Sequence, residues 1–134
     1  MKEIIARSDC PVSYALDFFG DKWTFLIIRD LALEGKKFYK EFLNSKEGIA
    51  TNILSDRLKR LIKYGIIQSE VYEKLKTQKV YSLTQKGKDL IPVLVEMMVW
   101  SAKYNPEVAV PAGFVQKVQN HRELVMKNIL AKLD

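Results

Sequence analysis

TNILSDRLKRLIKY, residues 51–64, carries two chemistries at once. Leu54, Leu58 and Leu61 recur at helical spacing, and at about 100° per residue they fall within about 60° of one another. Asn52, Asp56, Lys59 and Lys63 lie opposite, with Ser55 and Arg60 on the flanks and Arg57 near the edge of the apolar stripe. The segment therefore predicts an amphipathic helix with a hydrophobic footing and a largely cationic outer face. Working outward, residues 38–43 form a brief helix with Phe38, Phe42 and Leu43 inward, and residues 44–48 form a turn containing Gly48. Gly65 ends the longer helix. Two β-rich runs follow, residues 66–72 and 79–83, around the tip Lys74-Leu75-Lys76-Thr77-Gln78. Short helix, tight turn, longer basic helix and cationic hairpin together predict a winged helix-turn-helix. The fold class is α+β and mainly α, with helices added at both ends.

Charge placement supports a polyanionic partner. The chain has a net charge of +6. Residues 36–88 hold 13 Lys and Arg against 5 Asp and Glu, or +8, so the remainder carries −2. A basic centre of this kind favours duplex DNA bound with counterion release, whereas a merely solvated basic face is the bland alternative. In a helix-turn-helix the early residues of the second helix reach base edges. Asn52 suits bidentate pairing with adenine, and Ser55 can read several bases. Thr51, Lys59, Arg60 and Lys63 suit phosphates. Asp56 either holds a neighbouring cation or accepts from a cytosine amino group. Arg57 divides evenly between a structural ion pair and DNA contact. Lys74, Lys76 and Lys79 can follow the backbone toward the minor groove, although lysine-rich hairpin tips also serve solubility.

On the N-terminal side, Pro11 opens a short helix that Gly20 ends. Asp21 can cap the next, which is apolar almost all round (Trp23, Phe25, Leu26, Ile27, Ile28, Leu31, Leu33) and should form the central core. Gly35 closes it, and Lys36-Lys37 leads into a turn or strand. On the C-terminal side, Thr84 can cap a long helix running to about Tyr104, with Pro92 kinking it or beginning a fresh first turn. Leu94, Met97, Met98 and Trp100 belong to more apolar surface than one domain of this size can cover, so a second chain is expected against them. Residues 105–113 read as a linker. Residues 114–133 read as an amphipathic helix with Val118, Leu124, Val125, Ile129 and Leu133 as its apolar positions. The expected organisation is a domain over residues 1–104, then a linker and dimerisation helix over residues 105–134.

Several function classes recede. No apolar run reaches the roughly 20 residues of a membrane span. The N-terminus carries Glu3 and Asp9 and lacks a signal-peptide core, which predicts a cytoplasmic protein. One cysteine and one histidine leave no intrachain disulfide, no metal cluster and no cofactor motif. His121 has no catalytic neighbours in sequence, so an enzyme is not expected.

Three ordered segments carry a family resemblance: CPVSYALDFFGDKW (residues 10–23), ILSDRLKRLIKYGII (residues 53–67) and YSLTQKGKDLIPVL (residues 81–94). The chain resembles the HxlR-type winged helix-turn-helix transcriptional regulators, relatives of the MarR type, over roughly residues 10–100. The resemblance implies a cytoplasmic homodimer, a repressor or activator, on a near-palindromic operator of double-stranded DNA. Half-sites would lie about one helical turn, roughly 34 Å, apart. It also implies that Cys10 could sense oxidants or electrophiles, and a helix N-terminus beside Arg7 would favour thiolate. The competing reading of Cys10 is a small residue ahead of a helix. With no second cysteine, a disulfide must join Cys10 to another subunit or to a small thiol. A small-molecule effector could sit among Tyr14, Phe18, Phe19 and Trp23, which are otherwise plain core. The alternative function is a winged-helix protein-interaction adaptor without a DNA role.

Overall fold

The computed structural model describes residues 6–133, so Glu3, which argues against a signal peptide, lies outside the described residues. Among those described, nine elements follow in order: α1 (Pro11–Phe19), α2 (Thr24–Leu33), α3 (Tyr39–Leu43), α4 (Thr51–Lys63), β1 (Ile67–Val71), β2 (Lys79–Leu83), α5 (Gln85–Lys88), α6 (Ile91–Tyr104) and α7 (Phe114–Ala131). Each begins or ends where a local signal sits. Pro11 takes the first turn of α1, and the Gly20 N–H closes it on the Leu16 carbonyl at 2.8 Å. Asp21 caps α2 as expected, accepting from the Trp23 and Thr24 N–H groups at 3.0 and 3.1 Å.

α2 is the core helix. It buries Phe25, Ile27, Ile28, Leu31 and Ala32, and α4 lays Leu54, Leu58 and Leu61 into the same core. Truncating any one of these leucines to alanine would cost about 2–5 kcal/mol. Gly65, at φ 72, lets the chain turn from α4 straight into β1, a conformation that side chains with a Cβ resist. β1 and β2 pair antiparallel, with Ile67 opposite Leu83 and Val71 opposite Lys79. Period-two alternation directs Ile67 and Leu83 into the core. The Lys36-Lys37 segment adds a single ladder-like bond, from the Tyr81 N–H to the Lys37 carbonyl at 2.8 Å. Edge-to-face ring pairs, Phe38 with Tyr72 and Phe42 with Tyr81, fasten the hairpin to α3.

The structure corrects the C-terminal expectations. The helix expected from Thr84 to Tyr104 is two helices. Thr84 caps only the one-turn α5, and Pro92 stands in the first turn of a new helix, α6. Leu94, expected at a subunit contact, is only 5% exposed and joins Ile91, Val95 and Val99 in this chain's own core. Met98 is half-buried against that core, so the outward apolar face of α6 narrows to Val93, Met97, Trp100 and Tyr104. The last helix kinks at His121 (φ −140°, ψ 47°). Before the kink, Phe114 and Val118 enter the common core, and α7 packs along α6 and α2. Leu124, on the expected apolar face of this helix, is exposed. Among the described residues no helix is long and apolar enough to cross a membrane.

The junction between α4 and β1 is pinned from the far side of the hairpin. Thr84 Oγ1 donates to the Gly65 carbonyl at 2.5 Å with the Ile66 carbonyl oxygen 3.0 Å away, the Thr84 N–H reaches Ile66 O at 3.1 Å, and Lys86 Nζ reaches Tyr64 O at 2.8 Å. Gly87 makes this approach possible, because a Cβ there would stand 2.2 Å from the Ile66 carbonyl oxygen. Gly87→Ala should therefore lower stability by about 1–3 kcal/mol, read as a fall in Tm and in the urea midpoint. An unchanged midpoint would show that the junction yields freely.

Candidate nucleic-acid interface

α4 displays the face that its periodicity predicts. Thr51, Asn52, Asp56, Lys59, Arg60 and Lys63 are exposed, and Ser55 is half-buried. Lys74, Lys76 and Lys79 are exposed on the hairpin. Its tip is closed by backbone bonds from Tyr72 N to Gln78 O and from Gln78 N to Leu75 O, both 2.9 Å. The described structure thus presents a cationic helix and a cationic loop on one continuous winged scaffold.

Arg57 takes the structural role. Its Nε donates to Asp21 Oδ2 at 2.9 Å and its guanidinium also meets Asp56 at 2.5 Å. Burial works against the Arg57 charge, but the bonds to Asp21 and Asp56 outweigh it and raise its affinity for the proton. Asp21 mirrors this. Burial pushes its carboxyl up, yet the bonds from Thr24, Arg57 and the Trp23 N–H hold it below the ordinary value. One carboxylate therefore caps α2 and holds α4. Asp56 has the cation-holding role, with Arg57 on one side and Arg60 at 3.6 Å on the other.

Two features of the site escape a reading of the sequence. The first is a polar cluster beneath the turn between α3 and α4. Asp30 is buried in α2 and accepts from the Arg29 guanidinium at 2.9 Å and from Ser45 Oγ at 2.7 Å, with Lys36 Nζ at 3.5 Å. Arg29 also forks onto both Glu47 oxygens, at 2.8 and 3.0 Å. An Arg-Asp pair inside an otherwise apolar helix was the available signal, since such charges are rarely buried unpartnered. The second is Tyr39, whose hydroxyl touches the Thr51 carbonyl and Ser55 Oγ. Its partners lie 12 and 16 residues away, and no local pattern announces them.

The comparisons with known proteins fit this geometry. The HxlR-like helix-turn-helix family profile matches residues 18–109. The chain belongs to that family. It is 35% identical over 99 residues to the uncharacterized HTH-type transcriptional regulator YdeP of Bacillus subtilis, covering 74% of this chain and 77% of YdeP. Among solved structures it resembles PA1607, with 38% identity and a TM-score of 0.68 over 78% of this chain and 72% of that one. It also resembles the redox regulator HypR in its oxidized form, with 34% identity and a TM-score of 0.63 over 72% of this chain and 98% of HypR. This HxlR-like protein is a transcriptional regulator of the helix-turn-helix type, a non-enzymatic role that its relatives share.

Cys10 and the aromatic quartet each have defined surroundings in this HxlR-like chain. Cys10 is exposed and is the N-cap residue of α1, as expected, but Arg7 is not held for it. The Arg7 guanidinium pairs instead with Asp17, about two turns beyond Cys10 in α1, at 2.7 Å. Within the aromatic quartet, Tyr14, Phe18 and Phe19 are tied into edge-on ring pairs. Tyr14 packs edge-on to Phe18, Phe18 to Tyr64, and Phe19 to Phe25. A cavity of about 700 Å³ lies between α2, α6 and residues 108–110, with Arg29 and Glu47 among its lining residues. His121 is exposed at the α7 kink.

The ion pair under the turn gives a pH signature. Hydrogen bonds from Arg29 hold the Glu47 carboxyl down to about 2 from 4.5. A carboxylate with a depressed pKa stabilises the fold fully above its unfolded value and loses that contribution as pH falls toward the folded one. Glu47 is about one-third exposed, so solvent screening limits its contribution to about 1 kcal/mol or less. The Tm of the wild type should drop between pH 4.5 and 2, and Glu47→Gln should remove part of the drop while leaving the two proteins alike near pH 2. Parallel Tm curves across that range would contradict the assignment.

Proposed function

We infer that the chain binds double-stranded operator DNA as a homodimer, laying α4 of each subunit into the major groove. The observation that carries this reading is the division of α4. Its leucines are fully committed to the core, while Asn52, Lys59, Arg60 and Lys63 face outward beside the lysines of the hairpin. Lys59, Arg60 and Lys63 supply affinity through phosphates, and Asn52 with Ser55 supplies sequence preference. Lys74, Lys76 and Lys79 follow the flanking backbone.

The dimer reading rests on apolar surface that the chain leaves uncovered. α1 has no buried residue and exposes Val12, Tyr14 and Leu16. α6 exposes Val93, Met97, Trp100 (67%) and Tyr104 (74%). Faces of this composition on two helices suit a second copy. Two recognition helices about 34 Å apart then fit a near-palindromic site.

A titration against a promoter fragment at several salt concentrations tests both parts. Log affinity should fall linearly with log salt. Lys59→Ala/Arg60→Ala should flatten the slope by about 0.9 for each phosphate left without its cation. Trp100→Glu should sediment as a monomer and roughly halve the slope. A salt-independent affinity, or a slope indifferent to both variants, would sink the proposal.

Cys10 is the proposed redox contact, supported by its exposure on α1 and by the likeness to a redox regulator. Oxidation would join its Sγ to a small thiol or to Cys10 of the second subunit, with two protons and two electrons passing to the oxidant. Diamide should change operator affinity in the wild type and leave Cys10→Ser untouched. An equal response in both would remove Cys10 from the function.

A further inference from the structure

Tyr39 stands on α3 with its phenol against the first turns of α4. Its oxygen lies 3.2 Å from the Thr51 carbonyl oxygen and 3.1 Å from Ser55 Oγ. A phenol owns one proton, and a carbonyl oxygen can only accept. The Tyr39 proton is therefore committed to Thr51, and the second bond requires the Ser55 hydroxyl to donate to Tyr39 Oη. That direction is the one that satisfies both contacts. Ser55 has then spent its single proton inside the protein, and only acceptor lone pairs remain for anything approaching from outside.

We propose that Ser55 reads DNA as an acceptor alone, favouring a base that offers an amino group at the position it faces, with Tyr39 as the positioning residue that enforces this. In the major groove adenine and cytosine present amino donors, whereas guanine and thymine present keto oxygens. A serine free to rotate can donate or accept and discriminates poorly. A serine held by Tyr39 repels a keto oxygen and accepts from an amino group. The inference rests on α4 occupying the major groove and goes beyond it, from where the helix lies to which bases one side chain admits.

Selection of bound sequences from random duplex DNA, with wild type, Tyr39→Phe, Ser55→Ala and the double variant, tests the proposal. Salt slopes are measured for each. Wild type should enrich adenine or cytosine over guanine or thymine by roughly two- to tenfold at one position per half-site, the value of one hydrogen bond. Ser55→Ala should erase the preference at that position alone. Tyr39→Phe, which frees the serine proton, should admit guanine and thymine there, and the double variant should match Ser55→Ala. All four salt slopes should agree, because every phosphate keeps its cation.

A keto preference at the position sensitive to Ser55→Ala would overturn the proposal. So would a Tyr39→Phe variant that weakens every sequence equally, which would mark a purely structural role. If Tyr39→Phe does not fold, the sign of the base preference erased in Ser55→Ala still decides the matter. A wild type with no salt-dependent duplex binding would instead overturn the DNA reading itself, and this inference with it.

Discussion

The proposed recognition surface depends on two carboxylates placed at either end of α2. Asp21, just before the helix, caps its first N–H groups and takes the Arg57 guanidinium of α4. Asp30, near the other end, gathers Arg29, Ser45 and Lys36 and so fixes the turn that leads into α4. Apolar packing of Leu54, Leu58 and Leu61 holds α4 onto the core, but packing is non-directional and tolerates rotation of a helix about its axis. Hydrogen-bonded ion pairs fix direction. The partnering matters most at Asp30, since removing one member of a buried pair typically costs about 3–5 kcal/mol.

This anchoring also decides which charges remain for a polyanion. Arg57 lies between Asp21 and Asp56, and Arg60 shares Asp56 at longer range. A count of basic residues on α4 therefore overstates its outward charge. Lys59, Lys63 and the three hairpin lysines are exposed, while Arg57 is committed to orientation. In the proposed complex affinity and aim would thus fall to different side chains on one helix, and a substitution at Arg57 would disturb the second far more than the first.

The parts of the fold legible in the sequence were those set by local physics. The three leucines at helical spacing, Gly65 at positive φ and the β-branched runs around the lysine tip each act within a few residues. The α6 reading was less complete for the opposite reason. An almost uniformly apolar helix gives no stripe from which to read its inward face, so Leu94 and Met97 looked equivalent until α2 and α7 selected between them. Pro92 had two legal uses, a kink or a first turn, and nothing local chose. Tyr39 and the Asp30 cluster depend on partners brought close only by the completed turn.

The segment from Thr84 to Gly87 links the two halves of the proposed function. Its hydroxyl, its amide and the neighbouring Lys86 together hold the carbonyls at the end of α4. Four residues beyond Gly87 the chain enters α6, whose outward face carries Trp100 and Met97. Through these bonds a displacement at the start of α6 would be felt at Gly65 and Ile66, just beyond the end of α4. The missing Cβ at Gly87 brings the two backbones close enough for those bonds. Spacing between paired recognition helices would then be set at the α6 face and delivered to α4 through hydrogen bonds, with no flexible linker in between.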